Sequence, residues 1–156
     1  MPENELETTL ESAFEAAWIF TKRWEGGYTN DPVDPGGETN YGISKRAFPK
    51  EDIANLTEAR ARELYLEIWK ARECGRFSCP LSVVYFDACF NHSPRAALKM
   101  LEASDGLWER LLLARIQYYL KLVNNSPALG KFLKGWIARA SALFSYADAL
   151  EKTQEP

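Results

Sequence analysis

Apolar residues recur along most of this chain at steps of three and four, the spacing that gathers them on one face of an α-helix. The first stripe is Leu6, Leu10, Phe14, Ala17, Trp18, Thr21 and Trp24, with Glu5, Glu7, Glu11 and Glu15 on the remaining surface. It predicts a helix over Pro2 to Trp24, whose early carboxylates suit the positive end of the helix dipole. Gly26-Gly27 predicts its stop, in the left-handed cap conformation that glycine adopts without steric cost. A second stripe, Ala61, Leu64, Tyr65, Ile68 and Trp69, predicts a helix over Glu58 to Glu73, capped by Thr57 and stopped by Gly75.

Leu81 to Phe90 reads LSVVYFDACF and has little polar face. It predicts a buried central helix. Val83, Val84 and Tyr85 make a strand the competing reading, and the helical surroundings favour the helix. Ser93-Pro94 is an N-cap followed by proline at the first helical position, and predicts a helix to about Ser104. Asp105-Gly106 breaks it. Leu107 to Val123 is a further helix, and Asn124 to Pro127 a turn. The last helix runs from about Leu129 to Glu151, with Gly135 as a candidate break. The expectation is a mainly α single domain over residues 1–151, with a loose tail at 152–156.

One stretch breaks the helical pattern. Glu25 to Ser44 packs five glycines, two prolines, four carboxylates and two tyrosines into twenty residues. Turn signals stand at Asn30-Asp31-Pro32 and at Asp34-Pro35-Gly36-Gly37. Tyr28-Thr29 and Thr39 to Ile43 could pair as a small hairpin between and around them. Irregular chain continues to Asn55.

The 156 residues suit one domain whose core needs no disulfide or metal. A net charge of −3 supplies no basic field for nucleic acid. The charge is uneven, however. Residues 1–38 hold two basic and nine acidic side chains, and residues 94–139 hold eight basic and three acidic. The second run is either a solvated helix face or a patch for a polyanion. Cys74, Cys79 and Cys89 form no CxxC pair, and His92 is the single histidine, so no zinc pattern is present and no cofactor is expected. Free thiols are the default, with a Cys74–Cys79 bridge as the oxidised alternative. The N-terminal segment lacks the charged, apolar and small-residue regions of a signal peptide, and no apolar run is long enough to span a bilayer. The expectation is synthesis in the cytoplasm.

Glycosidic hydrolysis needs a protonated carboxylic acid at the leaving oxygen and a second group that activates water or stabilises the sugar cation. Glu25, between Trp24 and a tight glycine turn, has the partly apolar setting that keeps an acid protonated. Asp34 lies nine positions on, across a turn that lets the two carboxylates face each other. Thr39 stands five positions later with a hydroxyl to orient water. Tyr28 and Tyr41, inside the loop, are candidates to line a sugar cleft. Tyr65 and Trp69, at helical spacing, read as core.

The run WEGGYTNDPVDPGGETNYGIS resembles the signature of glycoside hydrolase family 108, the muramidase-type lysozymes of phages and bacteria. Its Glu-Gly-Gly-Tyr, Asp-Pro-Gly-Gly and Thr-x-x-Gly-Ile-Ser elements stand in the family's order. By that resemblance Glu25 is the catalytic glutamate. The spacing of Glu25, Asp34 and Thr39 is also similar to the Glu, Asp, Thr triad of phage-type lysozymes, with a threonine gap one residue shorter here. FDACFNHSPRAALKML, over Phe86 to Leu101, resembles the family's central segment. Asn91 matches its asparagine, implying a substrate-binding role, while His92 and Ser93 depart from it. Arg115 to Arg139 is similar to the family's peptidoglycan-binding region. The resemblance therefore implies a lysozyme-like body with a catalytic part at about 10–100 and a peptidoglycan-binding part at about 105–151.

The activity implied by the resemblance is that of an N-acetylmuramidase acting on peptidoglycan. Its setting would be that of a monomeric phage endolysin released through a holin to act in the periplasm or wall. A bacterial homologue serving secretion, or a prophage remnant, fits the same residues. The competing class is a lysozyme-like protein that binds the wall without cutting it. A zinc amidase lacks ligands, and a thiol peptidase would have to draw on Cys89, which lies in an apolar run.

Overall fold

The computed structural model of the chain describes residues 3–30 and 37–154, with side chains from residue 11 onward. The first apolar stripe becomes α1 (Glu3–Trp24), which turns Phe14, Ala17, Trp18 and Thr21 into the interior. After the loop, β1 (Thr39–Asn40) and β2 (Ile43–Ser44) pair antiparallel, Thr39 opposite Ser44 and Asn40 opposite Ile43. Tyr41 and Gly42 make the two-residue turn between them with φ of 51° and 71°. Positive φ at both positions is what a tight hairpin turn needs to match strand twist. The strand at Tyr28-Thr29 reduces to a single bridge, Thr29 to Thr39.

α2 (Glu58–Ala71) begins where Thr57 Oγ1 accepts the Arg60 N–H at 3.2 Å. It ends before Gly75. Glu73 takes the left-handed φ of 52°, and Gly75 sits in a 3-10 turn over Cys74–Arg76. α3 (Leu81–Asn91) is the central helix, with every residue from Leu81 to Cys89 buried, so the strand reading of its valines is overturned. α4 (Pro94–Glu102) starts on the Ser93 cap, and Asp105 and Gly106, both at positive φ, then reverse the chain. α5 (Trp108–Asn125) is followed by a 3-10 turn at Pro127–Leu129 and by α6 (Gly130–Lys152). α6 runs through Gly135 without interruption, because the helices it packs on outweigh the modest helix cost of one glycine.

α1, α4, α5 and α6 all touch α3 directly. From α2, Trp69 and Tyr65 reach Phe86 at ring-centroid distances of 5.5 and 5.9 Å. Trp18 meets Tyr65 edge-on at 4.6 Å and Phe14 meets Trp69 at 5.7 Å, which joins α1 to α2. Such aromatic pairs contribute about 0.5–1.5 kcal/mol each beyond the area they bury. The architecture is mainly α with one small β-hairpin after the first helix. No helix among the described residues is long and apolar enough to cross a membrane. Cys74, Cys79 and Cys89 are free thiols, and Cys74 lies buried beside Cys89.

Candidate active site

Glu25 stands directly after α1. Its N–H still donates to the carbonyls of Thr21 and Lys22, at 3.3 and 3.2 Å, so the backbone is tethered to the last helical turn. Gly26 and Gly27 do not adopt the left-handed cap; among the described glycines positive φ occurs at Gly37, Gly42 and Gly106. The helix ends instead by turning into the loop. A Cβ at Gly26 or Gly27 would meet no atom within 4 Å, so both leave open space beside Glu25.

The Glu25 side chain points inward and is 19% exposed. Gly42 of the hairpin turn covers one side of it. A Cβ there would lie 2.7 Å from both Cγ and Oε2 of Glu25 and 2.6 Å from Phe90 Cε1. This position excludes a side chain twice over, by its positive φ and by contact. On the other side, Arg139 Nη1 donates to Glu25 Oε1 at 2.8 Å. Burial pushes the Glu25 carboxyl above its ordinary range, against the pull of the Arg139 guanidinium.

Arg139 belongs to a buried network centred on Asp87. Its Nη2 donates to Asp87 Oδ1 at 2.7 Å and its Nε to Oδ2 at 3.2 Å, a forked pairing. Arg115 Nη1 donates to Oδ2 at 2.7 Å, Thr21 Oγ1 to Oδ1 at 3.1 Å, and Arg115 Nε to the Tyr119 hydroxyl at 2.6 Å. Burial pushes the Asp87 carboxyl up, but the two guanidiniums and their hydrogen bonds outweigh it and hold it below the usual carboxylate range. Arg115 and Arg139 both come from the basic run at 94–139. Two of its eight cations are therefore interior, and the surface field is weaker than composition suggested.

Of the other residues expected at the site, Thr39 and Tyr41 stand in the hairpin, Tyr28 before it and Asn91 at the end of α3. Asp34 lies outside the described residues. Thr39 is in β1, with its hydroxyl 2.9 Å from that of Thr29. Tyr28 is exposed, its hydroxyl 3.4 Å from Glu38 Oε2. Tyr41 is half-buried in the turn, where its carbonyl accepts the Tyr65 hydroxyl at 2.8 Å. Asn91 ends α3, and its Nδ2 donates to the Asp87 carbonyl at 2.9 Å. His92 caps α3 and packs on Tyr118 and Tyr119, and burial, then Arg115, lower its pKa to about 4. Trp69 and Tyr65 are core, as their spacing implied.

A groove of about 450 Å³ opens between the hairpin and the C-terminal ends of α2 and α3. Gly42, Ser44, Phe48, Glu67, Arg72 and Phe90 are among its walls. Gly42 and Phe90 also flank the Glu25 carboxyl, so the groove adjoins it. A smaller pocket of about 260 Å³ is lined by Asn91, His92, Tyr118, Tyr119 and Trp136. Sequence reasoning missed Asp87, Arg115 and Arg139. A carboxylate in the middle of an almost wholly apolar helix was the available signal, since a buried acid needs a buried cation.

Residues 18–93 match the family model described as Glycosyl hydrolase 108, and residues 91–141 match the one described as Predicted Peptidoglycan domain. No curated protein matches the chain. Among solved structures, the fold is similar to the structure of Brucella abortus SagA, with a TM-score of 0.72 and 24% identity, covering 90% of this chain and 96% of that one. The two chains share this mainly α fold.

Proposed function

We propose that this chain, which belongs to the glycosyl hydrolase 108 family, is an N-acetylmuramidase that cleaves the β-1,4 bond between N-acetylmuramic acid and N-acetylglucosamine in peptidoglycan. Glu25 is its general acid. The observation that carries this reading is a carboxyl buried at the rim of an open groove, with its pKa raised by burial, beside two glycines that leave space for a substrate. A raised pKa favours the protonated form, which can pass its proton to a leaving oxygen. In this reading Asp34 and Thr39 hold the attacking water, and a carboxyl separation of roughly 6.5–9.5 Å would make the enzyme inverting. The catalytic part lies at about 10–100 and the wall-binding part at about 105–151. The chain works as a monomeric endolysin, made in the cytoplasm and released to the wall through a holin.

Glu25→Gln on purified cell wall tests the acid. New reducing ends should appear about 10²–10⁴-fold more slowly than with the unaltered chain. Equal rates would remove Glu25 from the chemistry. A second reading, a wall-binding protein that does not cut, draws on the Arg139 contact, because a guanidinium at 2.8 Å favours the ionised carboxyl, which has no proton to give. Wall pull-down without muropeptide release by the unaltered chain would select it.

A further inference from the structure

The groove beside Glu25 contains a cation that forms no ion pair among the described residues. Arg72 comes directly after the last turn of α2, where its N–H donates to the Ile68 carbonyl at 2.9 Å, and its side chain lines the groove. Among the described residues the Arg72 guanidinium has no hydrogen-bond or ion-pair partner, and its Nε is buried without an acceptor. Arg60, Arg62, Arg76 and Arg110 each grip a carboxylate within 3 Å, as do the interior Arg115 and Arg139, and the arginines without one among the described residues, Arg23, Arg46 and Arg95, are exposed where Arg72 is half-buried. A buried N–H left without an acceptor is unfavourable, so Arg72 stands ready for an oxygen that enters the groove.

The other charge among the groove's walls is Glu67, which lies 3.7 Å from Arg60 Nη1 and is partly neutralised there. The remaining walls are largely apolar or small: Gly42, Ile43, Ala47, Phe48 and Phe90, with the Ser44 hydroxyl among them. A planar guanidinium in such a setting recognises a carboxylate through two parallel N–H···O bonds, strengthened by low local polarity. Uncharged chitin-type chains carry no carboxylate. Muramic acid carries one on its lactyl ether, and where a stem peptide caps that group, the peptide supplies others.

We propose that Arg72 is the carboxylate-binding residue of the groove. It pairs with a carboxylate on the muramyl unit of a seated glycan and thereby separates peptidoglycan from uncharged N-acetylglucosamine polymers. This rests on the groove being the glycan groove of the muramidase proposed above.

Binding is measured by titration calorimetry on the full chain carrying Glu25→Gln, which stops turnover, with and without Arg72→Met or Arg72→Lys. Three oligosaccharides of equal length serve as probes. One is an N-acetylglucosamine oligomer, one alternates N-acetylglucosamine with peptide-free N-acetylmuramic acid, and one carries stem peptides. Arg72→Met is expected to weaken binding of a carboxylate-bearing probe about tenfold, or about 1.4 kcal/mol, and to leave the uncharged oligomer unchanged. Arg72→Lys, which keeps the charge but loses the fork, should fall between. Loss confined to the peptide-free probe assigns the lactyl carboxylate; loss confined to the third assigns the stem peptide. Equal loss on all three, no loss on any, or no binding of either carboxylate-bearing probe by the parent overturns the proposal. The unaltered chain is assayed on cell wall in parallel. Arg72-dependent binding without wall cleavage defeats the muramidase reading alone, and wall cleavage without any Arg72 effect defeats this inference alone.

Discussion

Arg139 holds two carboxylates, and the two respond in opposite ways. Asp87 is fully buried, yet its pKa falls, because Arg115 and Arg139 both face it and Thr21 adds a donor. Glu25 is less buried, yet its pKa rises, because it has one guanidinium and an apolar flank of Gly42 and Phe90. Depth alone therefore does not decide the proton. What decides it is the number of cationic donors set against the loss of water. Asp87 is built as a permanent anion that ties α3 to α5 and α6. Glu25 is built as an acid with one restraint.

The largest effect should come from Asp87→Asn. It leaves the interior Arg115 without its anion and Arg139 with Glu25 alone, which costs about 3–5 kcal/mol. Urea unfolding should show that loss, while Glu25→Gln, which keeps an oxygen for Arg139, should stay within about 1 kcal/mol of the unaltered chain. The pH dependences should also diverge. The Asp87 pKa is depressed on folding, so its contribution is full above the ordinary aspartate value and is lost as pH falls through its folded value. The Glu25 pKa is raised, so its contribution is full at low pH and lost as pH rises through its folded value. Equal stability losses in the two variants would erase the distinction drawn between them.

Gly42→Ala comes next. The added methyl meets Glu25 and Phe90 at 2.6–2.7 Å and must sit at φ +71°, for a cost of about 1–3 kcal/mol. Because Gly42 touches Glu25 and not Asp87, the variant should lose hydrolysis of cell wall while the Asp87 network keeps the chain folded. A folded variant with full activity would show that Glu25 does not depend on the hairpin for its position.

Arg139→Met sharpens the comparison through pH. Removing the guanidinium takes away the main influence that lowers the Glu25 pKa, so it should rise further. A general acid must be protonated, so the alkaline limb of the pH–rate profile should move upward. Arg139→Lys should keep the limb near its original place. Asp87 retains Arg115, Thr21 and Asn91 in both variants. A limb that stays put or moves down with Met would mean that Glu25 is not the group titrating there.

The helices were legible because each carries its own pattern. The stripe from Ala61 to Trp69, the Thr57 cap and the apolar run of α3 all depend on neighbours within a few residues. The hairpin turn was half legible, since Tyr41-Gly42 supplies the right φ while the pairing of Thr29 depends on the loop's path. Glu25 was legible as a carboxyl at a helix end next to glycines. Its partner was not. Arg139 lies 114 positions away, and no spacing rule connects them. Composition misled as well, because Arg115 and Arg139 counted toward a basic surface although they neutralise interior carboxylates. Asp87 was readable in principle, as an acid that α3 had no polar face to accommodate.

His92 extends the same logic to a base and gives the smallest effect near neutral pH. It sits beyond Asn91, where burial opposes its charge, Arg115 and Arg139 add to that, and Asp87 alone favours it. Its Nε2 is buried without a partner, and the folded pKa is about 4 against an unfolded value of about 6.5. Because folding depresses this pKa, the neutral ring's contribution is full above about pH 6.5 and is lost as pH falls toward 4, which amounts to about 1 kcal/mol by pH 6. His92→Phe keeps an aromatic ring against Tyr118 and Tyr119 and removes the titration. The drop in melting temperature between pH 7 and pH 6 should therefore shrink in the variant. If the two proteins lost stability in parallel over that interval, His92 would be solvated and free to charge. The rule that too few opposite charges shift a buried group toward its neutral form would then hold for Glu25 but not for its basic counterpart.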